Sequence, residues 1–316
     1  MPASALWRGA MAARAAAYRR GWLAVRDLPL PSVSVGNLTL GGSGKGAVAE
    51  WIATHYSAGG VPPAILVPGA ADDVLVHRHA VPGALVLGNA DPVAGGENAL
   101  AQGAGVLILD DAYQRLDVHR DLNIAVVSAE TTRAVRWTLP AGPWREGWPA
   151  LARAGAAVVT RKRAPFDAAE SLAAELATAV QGPVAIVHLG LRHLEGLVSG
   201  ERREAATLSG KRVVAASGIA DPDAFVAQTK ATGAAVQVAT WKDRADFRDE
   251  DVAWLAHAAR RADHVVITEK DAVKLRDRWP HRVPEPLVAV LELTWEAGKD
   301  QLAAALDAVV TPADRF

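Results

Sequence analysis

A glycine-rich loop is the first part of the chain whose residues could do chemistry. An alternating apolar run at residues 32–38 precedes it, and a helical pattern at residues 47–57 follows it. The loop consists of Gly41, Gly42, Ser43, Gly44, Lys45 and Gly46. Strand, glycine turn and helix in this order are typical of a phosphate-binding loop, in which backbone N–H groups and a lysine converge on phosphate oxygens. The strict pattern has glycine in place of Thr39 and a Mg²⁺-binding hydroxyl in place of Gly46, so a glycine turn with an incidental lysine is the alternative.

Two adjacent carboxylates end a short apolar run. Residues 106–109 are Val-Leu-Ile-Leu, and Asp110 and Asp111 follow. Such a run is typical of a parallel strand buried on both faces, whose carboxyl end lies at the edge where open α/β sheets bind ligands. One acid at that edge can hold Mg²⁺ while its neighbour orients a nucleophile. The alternative is a pair of aspartates that only begins a turn.

Two further segments carry charged side chains in turns. Residues 138–146 contain two prolines and a glycine and present Arg145, which could bind a phosphate or pair with Glu146. Residues 268–271 read Thr-Glu-Lys-Asp after an apolar run. They resemble the base-reading motif of GTP-binding proteins only loosely, because the asparagine is missing and the lysine is shifted by one position. This mismatch argues against a GTPase.

Other catalytic classes have no support in the sequence. There is no cysteine, which excludes disulfides, thiolate metal sites and cysteine nucleophiles. The histidines show no familiar zinc spacing, and no G-x-S-x-G elbow for a serine hydrolase is present. His77 and His79 are two residues apart and are predicted to lie on the same face of an exposed edge strand, rather than to form a metal site.

The apolar runs predict an α/β protein with a largely parallel sheet. Buried strands are expected at residues 64–67, 84–87, 106–109, 124–127, 156–160, 184–188, 213–216, 236–239 and 264–268. Stretches with helical spacing lie between most of them. A boundary near residues 181–183 divides the chain into a core at 31–182 and a smaller α/β domain at 183–316, after an N-terminal segment at 1–30.

Composition limits the partners. The chain of 316 residues has a formal net charge of -1, which excludes a polyanion binder that relies on bulk positive charge, so no nucleic-acid partner is expected. No apolar run is long enough to span a membrane, and the arginine-studded N-terminus is unlike a secretory signal. The oligomeric state cannot be predicted from these features.

The N-terminal residues 4–26 are predicted to form one amphipathic helix. Its apolar stripe contains two tryptophans, its arginines lie beside and opposite that stripe, and no acid occurs before Asp27. Tryptophan at the headgroup level and arginine on anionic lipid are typical of an interfacial membrane helix. A helix packed on its own domain, with solvated arginines, is the alternative.

Five blocks, in this order, resemble the lipid A 4'-kinase (tetraacyldisaccharide 4'-kinase) family. They are GNLTLGGSGKG at 36–46, LILDDAYQR at 107–115, TLPAGPWREG at 138–147, SGIADPDAF at 217–225 and TEKDAVKL at 268–275. The resemblance covers nearly the whole chain and implies a P-loop NTPase-like core with a smaller C-terminal α/β domain. It also implies transfer of the γ-phosphate of ATP, with Mg²⁺, to the 4'-hydroxyl of a tetraacyldisaccharide 1-phosphate. The expected location is the cytoplasmic face of the inner membrane, with residues 4–26 on the lipid surface as a peripheral or monotopic anchor.

The resemblance also implies roles for single residues. Lys45, within the ATP-binding loop 41–46, would grip the phosphates, Asp110 would hold Mg²⁺, and Asp110 and Asp111 would both lie near the substrate. In the family, a Ser-Arg-Gly-Tyr-Gly segment is followed by a Gly-Asp-Glu acid that serves the catalytic base, and Asp72 in the altered stretch 67–73 is its best match. Asp72 or Asp111 would orient the sugar hydroxyl.

Departures from the family pattern keep two alternatives open. Gly46 replaces a threonine, Arg115 replaces a histidine, and residues 243–247 read DRADF where the family has two histidines. Losing a metal ligand or the partner of a base commonly costs about 10²-fold in rate or more. One alternative is therefore an impaired family member that binds nucleotide or lipid without efficient transfer. The other is an unrelated P-loop enzyme with a small soluble substrate.

Overall fold

The computed structural model describes residues 2–69, 71–130 and 136–311. Four short parts of the chain lie outside the described residues: 1, 70, 131–135 and 312–316. They belong to the predicted regions 1–30, 31–182 and 183–316, and residue 70 also belongs to the segment 67–73. The helices are α1 (Pro2–Arg19), α2 (Lys45–Ala58), α3 (Ala71–Ala80), α4 (Pro92–Ala101), α5 (Phe166–Ala177), α6 (Pro222–Ala231), α7 (Asp249–Ala259), α8 (Glu269–Leu275) and α9 (Lys299–Val310). The strands are β1 (Ser32–Gly36), β2 (Pro63–Val67), β3 (Leu85–Gly88), β4 (Val106–Asp110), β5 (Leu122–Ser128), β6 (Ala156–Arg161), β7 (Val184–Gly196), β8 (Arg202–Glu204), β9 (Arg212–Ser217), β10 (Ala235–Thr240), β11 (His264–Thr268) and β12 (Leu287–Ala297).

The chain divides into two compact units. Unit 1 contains the residues up to His188 and those from Trp295 onward, and unit 2 is Leu189–Thr294. The chain leaves unit 1 through β7 and returns to it through β12. The predicted boundary at 182/183 is thus close to the first crossing, but the assignment of all of residues 183–316 to one C-terminal domain is wrong. The strand β12, which the sequence analysis did not predict, is the reason for the return.

Unit 1 contains a parallel sheet whose strands lie in the order β7-β6-β5-β1-β4-β2-β3. Every residue of β1, β2 and β4 is buried, because helices cover both faces of such a sheet. The chain order reverses beside β1, and Val35 of β1 pairs with Asp110 of β4. The segments that follow these two strands therefore leave the same edge of the sheet as neighbours.

Unit 2 has its own parallel strands in the order β10-β9-β11-β12, and β8 pairs antiparallel with β7. One of its cores is built around Phe247, Leu255, Leu275 and Trp279. The apolar runs predicted as strands in both units are confirmed as strands. The parallel α/β class is therefore confirmed.

Helix α1 is shorter than the predicted helix at residues 4–26. It ends at Arg19, and Gly21 adopts a φ of 73°, a left-handed conformation that glycine adopts without strain. The N–H of Gly21 donates to the carbonyl of Tyr18, and the N–H of Trp22 donates to the carbonyl of Ala17. This pair of bonds is a Schellman motif, which satisfies the last carbonyls of the helix and turns the chain away from it.

Candidate active site

The glycine-rich loop connects β1 to α2. Gly44 has φ 78° and ψ 14° at the position before the helix, and α2 begins at Lys45 with no side-chain cap among the described residues. The first N–H groups of a helix have no acceptor within that helix, and the helix dipole favours an anion in front of them. The start of α2 can therefore bind a phosphate group.

Side chains at the ends of β1 and β6, or just after them, hold the loop in place. The Asn37 amide donates to the Ser43 hydroxyl at 3.0 Å, and the Thr160 hydroxyl at the end of β6 donates to the Ser43 carbonyl at 2.8 Å. The Lys162 ammonium donates to the Gly42 carbonyl at 2.9 Å. These bonds fix the path of the loop, and a fixed loop can bind a ligand without first being ordered.

The paired carboxylates lie at the end of β4, opposite the loop. Asp110 is 6% exposed, and its Oδ1 accepts the N–H of Asp111 at 2.9 Å. Asp111 has a φ of 51°, which is uncommon for a residue with a side chain but is tolerated by aspartate. Nζ of Lys45 lies 3.6 Å from Oδ1 of Asp111. The structure thus brings the predicted phosphate-binding lysine and the predicted acids together.

Arg145 joins this group rather than its sequence neighbour. Its guanidinium donates to both carboxylate oxygens of Asp111, at 3.1 and 3.4 Å, and to Oε1 of Gln114 at 3.3 Å. The alternative pairing of Arg145 with Glu146 is wrong, because Glu146 accepts two bonds of 2.9 Å from Arg153. Asp111 is therefore contacted by two cations, one of which is a guanidinium, the group whose planar fork suits carboxylate and phosphate oxygens.

His77 is a member of the site that the sequence analysis missed. The predicted edge strand for His77 and His79 is wrong, because both residues lie on helix α3, where His77 is buried and His79 is exposed. Nδ1 of His77 lies 2.8 Å from Glu50, and Nε2 lies 3.4 Å from Oδ2 of Asp110. Burial lowers the pKa of His77, but hydrogen bonds to Asp110 and Glu50 outweigh it and raise the pKa to about 10. The protonated ring can donate to both carboxylates.

Asp72 lies in the first turn of α3 and is partly buried. The helix begins four residues after β2 ends at Val67, and β2 pairs with β4. The start of α3 is therefore at the same edge of the sheet as Asp110 and Asp111. Acids in a first helical turn also interact favourably with the helix dipole, which helps α3 to begin here.

Arg115 lies outside the group of contacts formed by Lys45, Asp111 and Arg145. Its guanidinium binds Asp117 through two bonds of 2.9 Å and the carbonyl of Ala90 at 3.0 Å. The first of these contacts lowers the pKa of Asp117 to about 2. Arg115 thus ties together the segments that follow β3 and β4, which is a structural task.

The remaining blocks lie in unit 2. The buried carboxylate of Asp271 accepts the N–H of Gly218 at 3.2 Å and the hydroxyl of Thr268 at 2.6 Å, and burial raises its pKa. Arg244 donates its N–H to the Gly218 carbonyl at 2.9 Å. The acid that would read a base in a GTP-binding protein is bonded within its own unit, which agrees with the sequence argument against a GTPase.

The acids at the sheet edge fit a magnesium ion held together with a nucleotide. Mg²⁺ in phosphate-transfer sites is usually bound by one or two carboxylates and by phosphate oxygens. Asp110 and Asp111 supply such carboxylates next to a loop that can bind phosphate. Within the described ranges, no group of three or more His, Cys, Asp or Glu side chains forms a metal site made of protein ligands alone.

These features define an α/β protein with a P-loop, in which a lysine and a helix N-terminus face carboxylates across the carboxyl edge of a parallel sheet. The sequence matches the family described as Tetraacyldisaccharide-1-P 4'-kinase over residues 1–74 and 68–311. The tetraacyldisaccharide 4'-kinase of Geobacter sulfurreducens is 33% identical to this chain, and the alignment covers 94% of this chain and 89% of the Geobacter protein. That of Geobacter metallireducens is 36% identical over 83% of each chain. This protein therefore belongs to the tetraacyldisaccharide-1-P 4'-kinase family.

The fold agrees with a solved structure. LpxK from Aquifex aeolicus, crystallised in complex with ATP, superposes with a TM-score of 0.74 at 22% identity and covers 98% of both chains. The predicted family, the P-loop NTPase-like fold and the assignment as a 4'-kinase are thereby confirmed. Nothing in these comparisons supports the alternative of an impaired family member.

Proposed function

We propose that this protein uses ATP to phosphorylate the 4'-hydroxyl of a tetraacyldisaccharide 1-phosphate, the 4'-kinase step of lipid A biosynthesis. The observation that carries this proposal is the distance of 3.6 Å between Nζ of Lys45 and Oδ1 of Asp111. It joins the cation that binds phosphate to the acids at the end of β4, in a chain that belongs to a kinase family. Positioning and charge neutralisation are what phosphoryl transfer requires of a protein.

The geometry divides the reaction among named groups. N–H groups at the start of α2 and the Lys45 ammonium bind the β- and γ-phosphates, and Arg145 binds a further phosphate oxygen. Mg²⁺ held by Asp110 would neutralise charge on the phosphates. The sugar hydroxyl attacks the γ-phosphorus, the bond to the bridging oxygen of the β-phosphate breaks, and ADP leaves.

The proton of the hydroxyl goes to a carboxylate, for which Asp72 and Asp111 are the candidates. Asp111 is already contacted by Lys45 at 3.6 Å and by Arg145 at 3.1 Å. The oxygens of that carboxylate are thus already engaged by two cationic side chains, so we assign proton acceptance to Asp72. Asp72 lies at the same sheet edge and is partly buried.

The test is transfer of labelled γ-phosphate from ATP to the disaccharide lipid by the purified full-length protein. Lys45→Ala should abolish transfer, and Asp72→Asn should lower kcat by about 10²-fold or more with a smaller effect on KM. Lys299→Ala, which changes an exposed lysine at the start of α9, is the control and should transfer normally. Absence of transfer by the wild type with Mg²⁺ or Mn²⁺ would refute the proposed function.

We further propose that the N-terminal surface binds the cytoplasmic face of the inner membrane. Leu6 is 75% exposed and Trp22 is 71% exposed, and the guanidinium of Arg20 lies 5.2 Å from the centre of the Trp22 ring. Exposed apolar side chains beside arginines suit a surface that meets anionic headgroups. In the described part of the chain, no helix combines the length and hydropathy needed to cross a bilayer.

Vesicle flotation tests this second proposal. Wild-type protein should float with vesicles that contain anionic phosphatidylglycerol, and raised salt should weaken the binding. Replacing both Leu6 and Trp22 with serine should lower the affinity by about 10-fold or more, since each buries apolar area in the interface. Trp254→Ser, at a residue of unit 2 that is 42% exposed, is the matched control. Equal flotation of all three proteins would contradict the proposal.

A further inference from the structure

Gly46, the residue after the loop lysine, has no side chain where the P-loop pattern has one. The strict P-loop pattern has serine or threonine there, with a hydroxyl that binds Mg²⁺, whereas this chain has Gly46. The backbone does not require glycine at this position, because the φ of Gly46 lies outside the left-handed region. The missing side chain needs a different explanation.

An imidazole occupies the space that a side chain at position 46 would enter. An ideal Cβ on Gly46 would lie 3.6 Å from Cε1 of His77. Apart from the two chain neighbours of Gly46 and the nearby backbone of its own helix, no other described heavy atom comes within 4 Å. The Cβ alone would make an ordinary contact. The next atoms of a threonine extend about 1.5 Å further, so those that point toward His77 would overlap its ring.

His77 is held from two sides. Glu50 follows Gly46 by four residues on α2, so both positions face α3, and Oε1 of Glu50 lies 2.8 Å from Nδ1 of His77. On the other side, Nε2 of His77 lies 3.4 Å from Oδ2 of Asp110. The imidazole side chain is only 3% exposed.

Asp110 is consequently fixed through both of its carboxylate oxygens. Oδ1 accepts the N–H of Asp111 at 2.9 Å, and Oδ2 faces His77. A side chain that hydrogen-bonds a metal-binding carboxylate sets its orientation, and its removal typically changes metal affinity about 10- to 100-fold.

We propose that His77 is a positioning residue that orients Asp110 for Mg²⁺, and that Gly46 makes room for it. In this chain an imidazole from α3, which orients the carboxylate of Asp110, takes the space of a hydroxyl from α2 that would bind Mg²⁺ directly. The inference rests on the proposed function, because it concerns how the same site receives Mg²⁺ with a nucleotide. It predicts that positions 46 and 77 act as a coupled pair.

Calorimetric titration of ADP, with Mg²⁺ and with EDTA, tests this coupling. The variants are His77→Leu, His77→Ala, His77→Gln, Gly46→Thr and the double variant Gly46→Thr/His77→Ala. His79→Leu, at an exposed histidine of the same helix, is the matched control. Thermal unfolding of each variant without ligand establishes that it is folded.

Three results are expected. His77→Leu, His77→Ala and Gly46→Thr should each raise the Kd for ADP with Mg²⁺ by about 10- to 100-fold, whereas the Kd in EDTA should change far less. His77→Gln keeps a donor for Asp110 and should recover part of the affinity. The double variant should bind better than either of its two single variants, because alanine at position 77, unlike the bulkier leucine, leaves the threonine hydroxyl space at the metal.

Two outcomes would overturn the proposal. One is a His77→Leu variant whose Mg²⁺-dependent affinity equals that of the wild type, and the other is a double variant in which the two losses simply add. Either result, with Mg²⁺-dependent binding and phosphate transfer intact in the wild type, refutes the inference and leaves the proposed function standing. A wild type that binds ADP no better with Mg²⁺ than with EDTA refutes the metal assignment of both.

Discussion

Replacing Gly36 with alanine should damage both stability and catalysis, although Gly36 does not itself contact a phosphate or an acid. An ideal Cβ at this last residue of β1 would lie 2.7 Å from Cβ and 2.8 Å from the backbone nitrogen of Tyr113. Carbon atoms pack best at about 3.5 to 4.0 Å, so the two segments must move apart by about 0.8 Å or more. Tyr113 follows Asp110 and Asp111 closely in the chain, so the movement reaches both carboxylates.

The surroundings offer little room for this movement. Tyr113 is 1% exposed, its hydroxyl donates to the carbonyl of Ala150 at 2.8 Å, and β1 is paired with β4 up to Asp110. Overpacking of this kind typically costs about 1–3 kcal/mol, which corresponds to a fall in Tm of about 2 to 12 °C for a unit of this size. A displacement near 1 Å of positioned groups can lower kcat/KM by about 10²-fold.

Thermal unfolding and steady-state kinetics of Gly36→Ala measure the two effects. Gly83→Ala makes the same chemical change at a position where an ideal Cβ meets no described atom within 4 Å. It should leave activity unchanged and raise stability slightly, because alanine restricts the unfolded chain. An unchanged Tm and an unchanged kcat/KM in Gly36→Ala would refute the claim that this close approach sets the position of the acids.

Three other changes test further contacts. Burial alone would raise the pKa of Glu130, but hydrogen bonds from a serine hydroxyl and three backbone N–H groups outweigh burial and lower the pKa to about 2. The charged carboxylate therefore stabilises the fold above about pH 4.5, and this stabilisation is lost as the pH falls toward 2. Urea unfolding should show Glu130→Gln about 2 kcal/mol less stable than the wild type near neutral pH, with a difference that shrinks in acid, and no such trend for the exposed control Glu170→Gln. Tyr56→Phe leaves a buried carbonyl of α9 without its 2.8 Å donor and should cost about 1–2 kcal/mol by calorimetry. Arg145→Lys loses the two-point contact with Asp111 and should lower kcat/KM by about 10-fold or more at an unchanged Tm, so a normal kcat/KM would contradict the role given to the guanidinium.

The strands and the main members of the site could be predicted from local sequence because each carries its own signal. An apolar run that ends in Asp110 and Asp111 needs only the rule that ligands bind at the carboxyl ends of parallel strands. The same rule places the loop with Lys45 at that edge. The sequence does not reveal that β1 and β4 are neighbours, yet the neighbouring positions of the two strands are what reduce the separation of the lysine and the acids to 3.6 Å.

His77 could not be predicted, because its partners come from two distant elements. The spacing of two residues between His77 and His79 favours one face of a strand, whereas the chain forms α3. Glu50 precedes His77 by 27 residues and Asp110 follows it by 33. A buried histidine between two carboxylates has no signature in spacing, and burial itself is a property of the folded chain.

The return of the chain to unit 1 was likewise hidden from the sequence analysis. The alternating run that forms β12 is a local strand signal that could have been found. The return of the chain to unit 1 after β12 could not be predicted, because it depends on contacts between distant residues. One example is the hydrogen bond that joins Tyr56 of α2 to Leu306 of α9 across 250 residues. The boundary predicted near residues 181–183 therefore lies close to the first crossing between the units, and the second crossing was not predicted.

A departure from a motif is informative only when the volume around it is known. Gly46 removes a hydroxyl that the P-loop pattern requires, and position by position this indicates a loss of metal binding. In three dimensions the same glycine admits the imidazole of His77, which fixes the carboxylate of Asp110 instead. Gly46 and His77 then act together on the carboxylate of Asp110, and a variant that introduces threonine at position 46 without removing the histidine should be worse than the native glycine.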